Sequence, residues 1–214
     1  MPEVFEDFLG ASGATLPAPW GEQDTSSVGS PVTAYVNGRL NGAYELTHDT
    51  QDEAQMMSLY WSDQLMIDPT QNPYFEARVN IATDGSTLSA NQRVVFGLAS
   101  ARNATLDSIT HHCWFRVEGA SLVVKVEGDD GTTDTNDQAT DFSYTNDTYH
   151  TYKIDMSDLS NVRFVFDGQD CGSVDVSAMT SSNGLQPFIE IQKDGDAEED
   201  SIEVDYIKVS WDRV

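Results

Sequence analysis

The chain has 214 residues and carries a formal net charge of −25, with 36 Asp and Glu against 11 Lys and Arg. A chain of this length buries roughly 70% of its unfolded surface, so it needs no metal or disulfide merely to fold. So few cations disfavour binding to nucleic acid or to an anionic membrane surface, and no apolar run reaches the ~18–20 residues of a spanning helix. We therefore expect neither nucleic acid nor a membrane as a partner.

The acidity itself has two interpretations. Like charges keep a protein dispersed in any solution. A dense carboxylate surface also tolerates high ionic strength because salt screens the repulsion. Only four lysines accompany the 36 acids, which favours a marine or halophilic source.

The first 31 residues differ from the rest of the chain. They hold four of the seven prolines, together with glycines and many small residues. The start, MPEVFEDFLG, lacks the basic and apolar regions of a secretory signal, so we expect no export by that route. The composition predicts that residues 1–31 form an extended Pro/Gly-rich arm or an edge strand, and that residues 32–214 form one domain.

From residue 32 onward the sequence has the pattern of β-strands. Apolar residues alternate with polar ones from Phe75 to Ile81, which is the period of a half-buried strand. Turn dipeptides such as Asn37-Gly38 separate the apolar runs. About a dozen strands predict an all-β fold, an antiparallel β-sandwich or jelly roll. The other strands are expected at 32–37, 42–46, 56–61, 93–100, 112–118, 121–127, 149–155, 162–166, 187–192 and 202–211.

Two acidic stretches, 128–141 and 193–200, lack the spacing of a calcium loop, and we expect solvated loops there. The two cysteines, Cys113 and Cys171, are too few for a disulfide framework. They form either one bridge or two separate buried thiols.

Three segments resemble a known family. They are VFEDFLGASGATLPAPWGEQ with VNGRL at 36–40, YHTYKIDMSDLSNVRFVFDGQ at 149–169, and VDYIKVSW at 204–211. Together they look like the concanavalin A-like lectin/glucanase superfamily, whose jelly roll is shared by laminarinase-like enzymes and laminin-G-like modules. The resemblance implies a concanavalin A-like sandwich over nearly the whole chain.

The same resemblance allows a test for catalysis. Laminarinase-type hydrolases carry an E-x-D-x-E strand, in which two carboxylates about 5 Å apart act as nucleophile and general acid. This sequence contains no E-x-D-x-E. Strand 93–100 offers Gly97 and Ala99, and strand 112–118 offers Cys113, Phe115 and Val117. We therefore expect a protein that is not an enzyme.

Members of this superfamily often hold a structural calcium ion where the first and last strands meet. The matching positions here are Asp7 and Gly38 for two backbone carbonyls and Asp205 for the carboxylate. A hard cation prefers such oxygen ligands and would join the separate segments. The alternative is that Asp205 simply faces solvent.

Exposed aromatic rings are the usual platform for sugar rings. The candidates for carbohydrate binding are Tyr60, Trp61 and Trp114. The alternative is that the tryptophans pack in the core, which is common at strand spacing. The sequence does not show which face of the sandwich they occupy.

Two functions fit these observations. The first is a virion structural protein: a lectin-like jelly roll that decorates or stabilises the capsid of a tailed phage from a saline habitat, with weak glycan adhesion as an added property. Its partners would be a capsid protein or further copies of the chain, and its location would be the virion. The alternative is a carbohydrate-binding module or free lectin, located outside the cell and bound to a cell-surface glycan.

Overall fold

The computed structural model describes residues 2–83 and 85–213. These residues form fifteen strands and one short 3-10 helix, η1 (Leu106–Ser108). The strands are β1 (Glu3–Glu6), β2 (Gly21–Asp24), β3 (Val32–Tyr35), β4 (Tyr44–Thr47), β5 (Glu53–Tyr60), β6 (Tyr74–Ala82), β7 (Gln92–Ala99), β8 (His112–Glu118), β9 (Val123–Asp129), β10 (Asp134–Ser143), β11 (Tyr149–Asp155), β12 (Val162–Phe166), β13 (Gln169–Val174), β14 (Gln186–Asp196) and β15 (Ser201–Ser210).

The strands make two antiparallel sheets that pack face to face. One sheet has the order β13-β12-β11-β6-β15-β4-β3, with β1 also paired to β15. The second sheet has the order β10-β9-β8-β7-β14-β5-β2. One large apolar cluster lies between the sheets and draws side chains from both. The prediction of an all-β antiparallel sandwich is confirmed.

Strand β6 shows why the alternation in the sequence predicts the fold. Its odd-numbered side chains from Phe75 to Ile81 point into the core and are at most 1% exposed. Its polar side chains Glu76 and Arg78 lie on the opposite face, where Glu76 contacts Lys153 and Arg78 contacts Asp205. Burial of one face fixes the register of β6, because a shift of one residue would expose its apolar side chains to water.

The N-terminal segment is packed onto the sandwich. Strand β1 pairs with β15, and β2 forms one edge of the second sheet through its pairing with β5. Between them, Phe8 and Trp20 enter the core, with ring centroids 5.7 Å apart. Residues 2–31 therefore contribute to both sheets and to the core of this structure.

The acidic stretch expected to be a loop at 128–141 is largely strand. Residues 134–143 form β10, which pairs with β9 at the edge of its sheet. The end of β14 also extends to Asp196, into the second acidic stretch. An edge strand lies largely in water and can be mostly polar, so β10 lacks the apolar alternation of interior strands, although its Phe142 packs against the core.

The two cysteines lie in different sheets as free thiols. Cys113 on β8 is buried, and burial raises the pKa of its thiol far above the usual range. Cys171 on β13 is half-buried, and burial raises its pKa to about 12. Both thiols are therefore protonated at neutral pH. Within the described ranges, no helix is long and apolar enough to cross a bilayer.

Candidate functional site

The second sheet carries polar and aromatic side chains on the face turned away from the core, which we call the outer face. The pairing register brings Tyr60, Phe188, Gly97 and Trp114 into one row across β5, β14, β7 and β8. We call this the aromatic row. Gly97 has no side chain, so the rings of Phe188 and Trp114 meet across it, with their centroids 6.1 Å apart. A Cβ at Gly97 would lie 2.9 Å from the Cβ of Trp114.

The connection between β7 and β8, residues 100–111, folds back over the aromatic row, and we call it the cover loop. Its Leu106 and Ile109 are buried in a second apolar cluster together with Trp114 and Phe188. The imidazole of His112, at the base of the loop, stacks on Trp114 with centroids 3.6 Å apart. The cover loop thus shields most of the aromatic row from water.

Charged contacts hold the cover loop to the sheet. Arg102 donates from Nε to the hydroxyl of Ser58 at 2.8 Å and lies 3.6 Å from the buried carboxylate of Glu190. Asp107 accepts a hydrogen bond of 2.9 Å from Arg116 on β8. The loop is therefore fixed by two arginine–carboxylate contacts as well as by apolar burial.

Glu190 lies on β14 with no exposed side-chain surface, and Ser58 and Gln192 both hydrogen bond to it. Burial raises the pKa of this carboxyl from 4.5 to about 7. Between these pH values the unfolded chain has already released the proton that the native protein still holds. The contribution of Glu190 to stability is therefore complete below about pH 4.5 and is lost as the pH rises through about 7.

We expect Glu190→Gln to remove the loss of stability that ionisation of Glu190 causes as the pH rises through about 7. Chemical denaturation at a series of pH values should show the free energy of unfolding of the wild type falling relative to Glu190→Gln between pH 5 and 7. Burial lowers the pKa of His48 and His112 to about 4, and these groups act equally in both proteins. The exposed substitution Glu199→Gln is the control, and a parallel pair of curves for wild type and Glu190→Gln would contradict the assignment.

Arg116 is the centre of a second network. Its guanidinium contacts Glu118 at 2.6 Å and Glu127 at 3.3 Å, in addition to Asp107. Glu127 has no exposed side-chain surface and accepts a hydrogen bond of 2.5 Å from the indole of Trp114. Burial raises the pKa of Glu127 to about 6, against the opposing effect of Arg116.

Beside the cover loop, the outer face opens into a polar groove. It consists of two adjoining cavities of about 310 and 400 Å³ that share Arg93 and Asp194. Arg93 contacts Asp194 at 2.6 Å, and Lys125 contacts Glu118 at 2.5 Å. We call this the outer-face groove. Its further lining residues include Asn91, Ser121, Thr105, Asp107 and Arg116.

The structure separates Trp61 from the other two predicted carbohydrate-binding residues, Tyr60 and Trp114, which share the aromatic row. Trp61 has no exposed surface and packs in the core against Trp20 and Trp211. Trp114 is equally buried, but beneath the cover loop on the outer face. Tyr60 is half-buried at the end of the aromatic row. Trp61 therefore has no free ring face for a sugar in this structure, and Trp114 has one only if the cover loop moves.

The structure also corrects which residues of β8 lie on the outer face. Cys113, Phe115 and Val117 point into the core, whereas Trp114 and Arg116 lie on the outer face. On β14, the alternation in FIEIQKD places Glu190, Gln192 and Asp194 on that same face. Polar residues two apart within an apolar strand were the available sequence signal for them.

The predicted calcium ligand Asp205 lies at a β-bulge. On β15, Val204 pairs with Val79 and Tyr206 pairs with Arg78, so Asp205 is the extra residue between them. The guanidinium of Arg78 forms an ion pair with its carboxylate and packs on the ring of Tyr149, 4.5 Å from the centroid. The anionic ligand is thus already neutralised by a cation of the chain.

The glycine that packs closely against the first segment is not the predicted one. Gly42, rather than Gly38, packs against the first segment, since a Cβ at Gly42 would lie 2.8 Å from the carbonyl oxygen of Asp7. This close approach, at a φ of +80°, requires glycine. A Cβ at Gly38 would meet no atom within 4 Å. With Arg78 paired to Asp205, the one predicted carboxylate ligand is engaged by a cation, which does not favour calcium there.

Within residues 2–83 and 85–213, no group of three or more His, Cys, Asp and Glu side chains is arranged to hold a metal ion. Calcium at Asp7, Gly38 and Asp205 remains a prediction of the resemblance.

Comparison with known proteins identifies the fold. No family model matches the chain, and no curated protein matches it in sequence. The structure is similar to the carbohydrate recognition domain of Emp47p, at 12% identity over 94% of this chain and 92% of that one, with a TM-score of 0.58. It is also similar to a Bacteroides ovatus mixed linkage glucan GH16 protein in complex with a G4G4G3G product, at 10% identity, 97% and 99% coverage and a TM-score of 0.63.

A third similar structure is the potassium-bound form of the Emp46p carbohydrate recognition domain, at 15% identity, 92% and 89% coverage and a TM-score of 0.57. Carbohydrate recognition domains and a GH16 protein in complex with a product thus share this architecture. The chain has a concanavalin A-like jelly roll, as the sequence resemblance implies.

Proposed function

We propose that this protein is a glycan-binding domain that holds its ligand in the outer-face groove. The observation that carries the proposal is the pairing of donors and acceptors on rigid strands: Arg93 beside Asp194, and Lys125 beside Glu118. A sugar hydroxyl both donates and accepts hydrogen bonds, so adjacent cations and carboxylates suit the vicinal hydroxyls of a glycan. The combined groove has the size of a ligand site.

The spacing and the ion pairs of the carboxyl groups favour glycan binding over glycan hydrolysis. A retaining enzyme needs two carboxyl groups about 5 Å apart. Glu190 and Glu127 stand on strands with two others between them, which separates them by about 14 Å at ~4.8 Å per strand. The acids around Arg116 are each bound to its guanidinium. A non-catalytic role is therefore part of the proposal.

A glycan array tests the proposal with matched variants. We expect the wild type to retain a set of glycans and the double variant Arg93→Ala/Asp194→Ala to bind them at least about tenfold more weakly, because each charged hydrogen bond contributes about 1.5–3 kcal/mol. The control is Arg163→Ala/Asp170→Ala, which removes an exposed pair of the same 2.6 Å length from the other sheet.

Two results would contradict the proposal. Equal glycan retention by both double variants would show that the outer-face groove does not bind the glycan. Release of reducing ends from a retained glycan, measured by chromatography, would show a hydrolase in place of a binding domain.

The virion role is a second proposal that rests on the sequence alone. It is compatible with glycan binding, since a particle that displays such a domain adheres to glycans on cells. Its support is the acidity and the arm-like composition of residues 1–31, and the packing of residues 2–31 onto the sandwich weakens the second point. Electron microscopy of source particles labelled with an antibody to this chain tests it.

A further inference from the structure

A lysine lies completely buried at one corner of the sandwich. Lys193 follows Ile189 and Ile191 on the core-facing side of β14, and its side chain has no exposed surface. Lysine is almost never fully buried unless its charge is compensated. The surroundings of the ammonium group therefore need a specific explanation.

Three backbone carbonyls supply the compensation. Nζ of Lys193 donates to the carbonyl oxygens of Asp49 at 2.5 Å, Gln51 at 2.7 Å and Asp196 at 3.1 Å. An ammonium group has three donors, and all three are used. The nearest carboxylate oxygen, Oδ1 of Asp49, is 4.0 Å away.

These carbonyls belong to two separate stretches of chain. Residues 49 and 51 follow β4, whereas Asp196 ends β14, and the residues between β14 and β15 begin there. The ammonium group therefore connects two segments, which also meet where Asp196 pairs with Glu53. A bound metal ion joins segments in the same way, by collecting oxygen ligands from both.

We propose that the carbonyls of Asp49, Gln51 and Asp196 form a monovalent-cation site that the chain fills with its own Lys193. The charge supports this valence, because three neutral oxygens with one carboxylate at 4.0 Å compensate a single positive charge. Calcium prefers six to eight oxygens including several carboxylates. This inference does not depend on the outer-face groove.

Two variants of Lys193 distinguish cation binding by the three carbonyls from simple filling of the space by a side chain. Lys193→Ala leaves the carbonyls unpaired around an open space, and Lys193→Met fills that space without a charge. Both should melt at least about 5 °C below the wild type in choline chloride, because buried carbonyls lose their partner. At the same ionic strength, potassium or ammonium chloride should restore part of the Tm of Lys193→Ala only, since methionine blocks the site.

Lys208→Ala, which removes a half-exposed lysine paired with Glu3, controls for the loss of charge. If Lys193→Ala does not fold in choline chloride, folding on addition of potassium or ammonium supports the proposal. Three results would overturn it: equal melting of Lys193→Ala in every salt, equal rescue of Lys193→Met, or rescue by calcium alone. A wild-type Tm that rises when potassium replaces choline would also overturn it, because the lysine would then not fill the site.

Discussion

Deletion of residues 1–31 is expected to abolish cooperative folding of the remaining chain. The deletion removes strand β1 from β15, strand β2 from β5, and the core side chains Phe8 and Trp20. Each large aromatic residue in a core contributes about 3–5 kcal/mol, and a domain has about 5–15 kcal/mol of net stability in total. Circular dichroism and thermal melting of residues 32–214 measure the outcome.

Two neighbouring single variants control this experiment. Phe8 is fully buried against Trp20 and Tyr44, whereas Leu9 is 72% exposed. Phe8→Ala should lower the free energy of unfolding by about 3–5 kcal/mol, and Leu9→Ala by no more than about 0.5 kcal/mol. A deletion protein that melts cooperatively near the full-length Tm would show that the segment is a separable arm, one of the two alternatives that the composition predicts.

Loss of Arg116 is the other change with a large expected effect. Arg116→Met keeps much of the side-chain volume but leaves the buried carboxylate of Glu127 without its cation. Breaking a buried ion pair from one side costs about 3–5 kcal/mol, because an uncompensated charge remains in the interior. The loss should be larger at pH 8 than at pH 5, since the raised pKa of Glu127, about 6, leaves the carboxyl largely protonated at pH 5.

The matched control is Arg163→Met, which removes an exposed ion pair with Asp170 and should cost at most about 1 kcal/mol. The double variant Arg116→Met/Glu127→Gln should recover part of the stability lost in Arg116→Met. Urea denaturation at both pH values measures all four proteins. Equal stability of Arg116→Met and Arg163→Met at pH 8 would contradict the buried network.

Much of the fold could be predicted, because a strand that buries one face alternates apolar and polar residues along its sequence. The pattern from Phe75 to Ile81 corresponds to β6, and the runs at 112–118 and 149–155 match β8 and β11. Strand β10 was not predictable from this signal, because it lies largely exposed at a sheet edge and its residues are mostly polar. Strands β1 and β2 have four residues each and depend on pairing with distant segments.

The candidate site was less predictable, because it depends on how distant segments meet. Nothing local to Trp61 and Trp114 distinguishes a ring in the core from a ring beneath the cover loop. The path of residues 100–111 over the sheet follows from contacts of Leu106 and Ile109 with strands elsewhere in the chain. The ion pair of Arg78 with Asp205 likewise joins residues 127 positions apart.

Chemical-shift mapping with an array-selected oligosaccharide tests glycan binding in the outer-face groove most directly. Backbone and side-chain NMR signals of the isotope-labelled wild type would be followed during the titration. We predict the largest changes at Arg93, Asp194, Lys125 and Glu118, with smaller changes in the cover loop and none at Arg163 and Asp170. Changes centred on the other sheet, or no saturable change with any glycan, would contradict the proposed function.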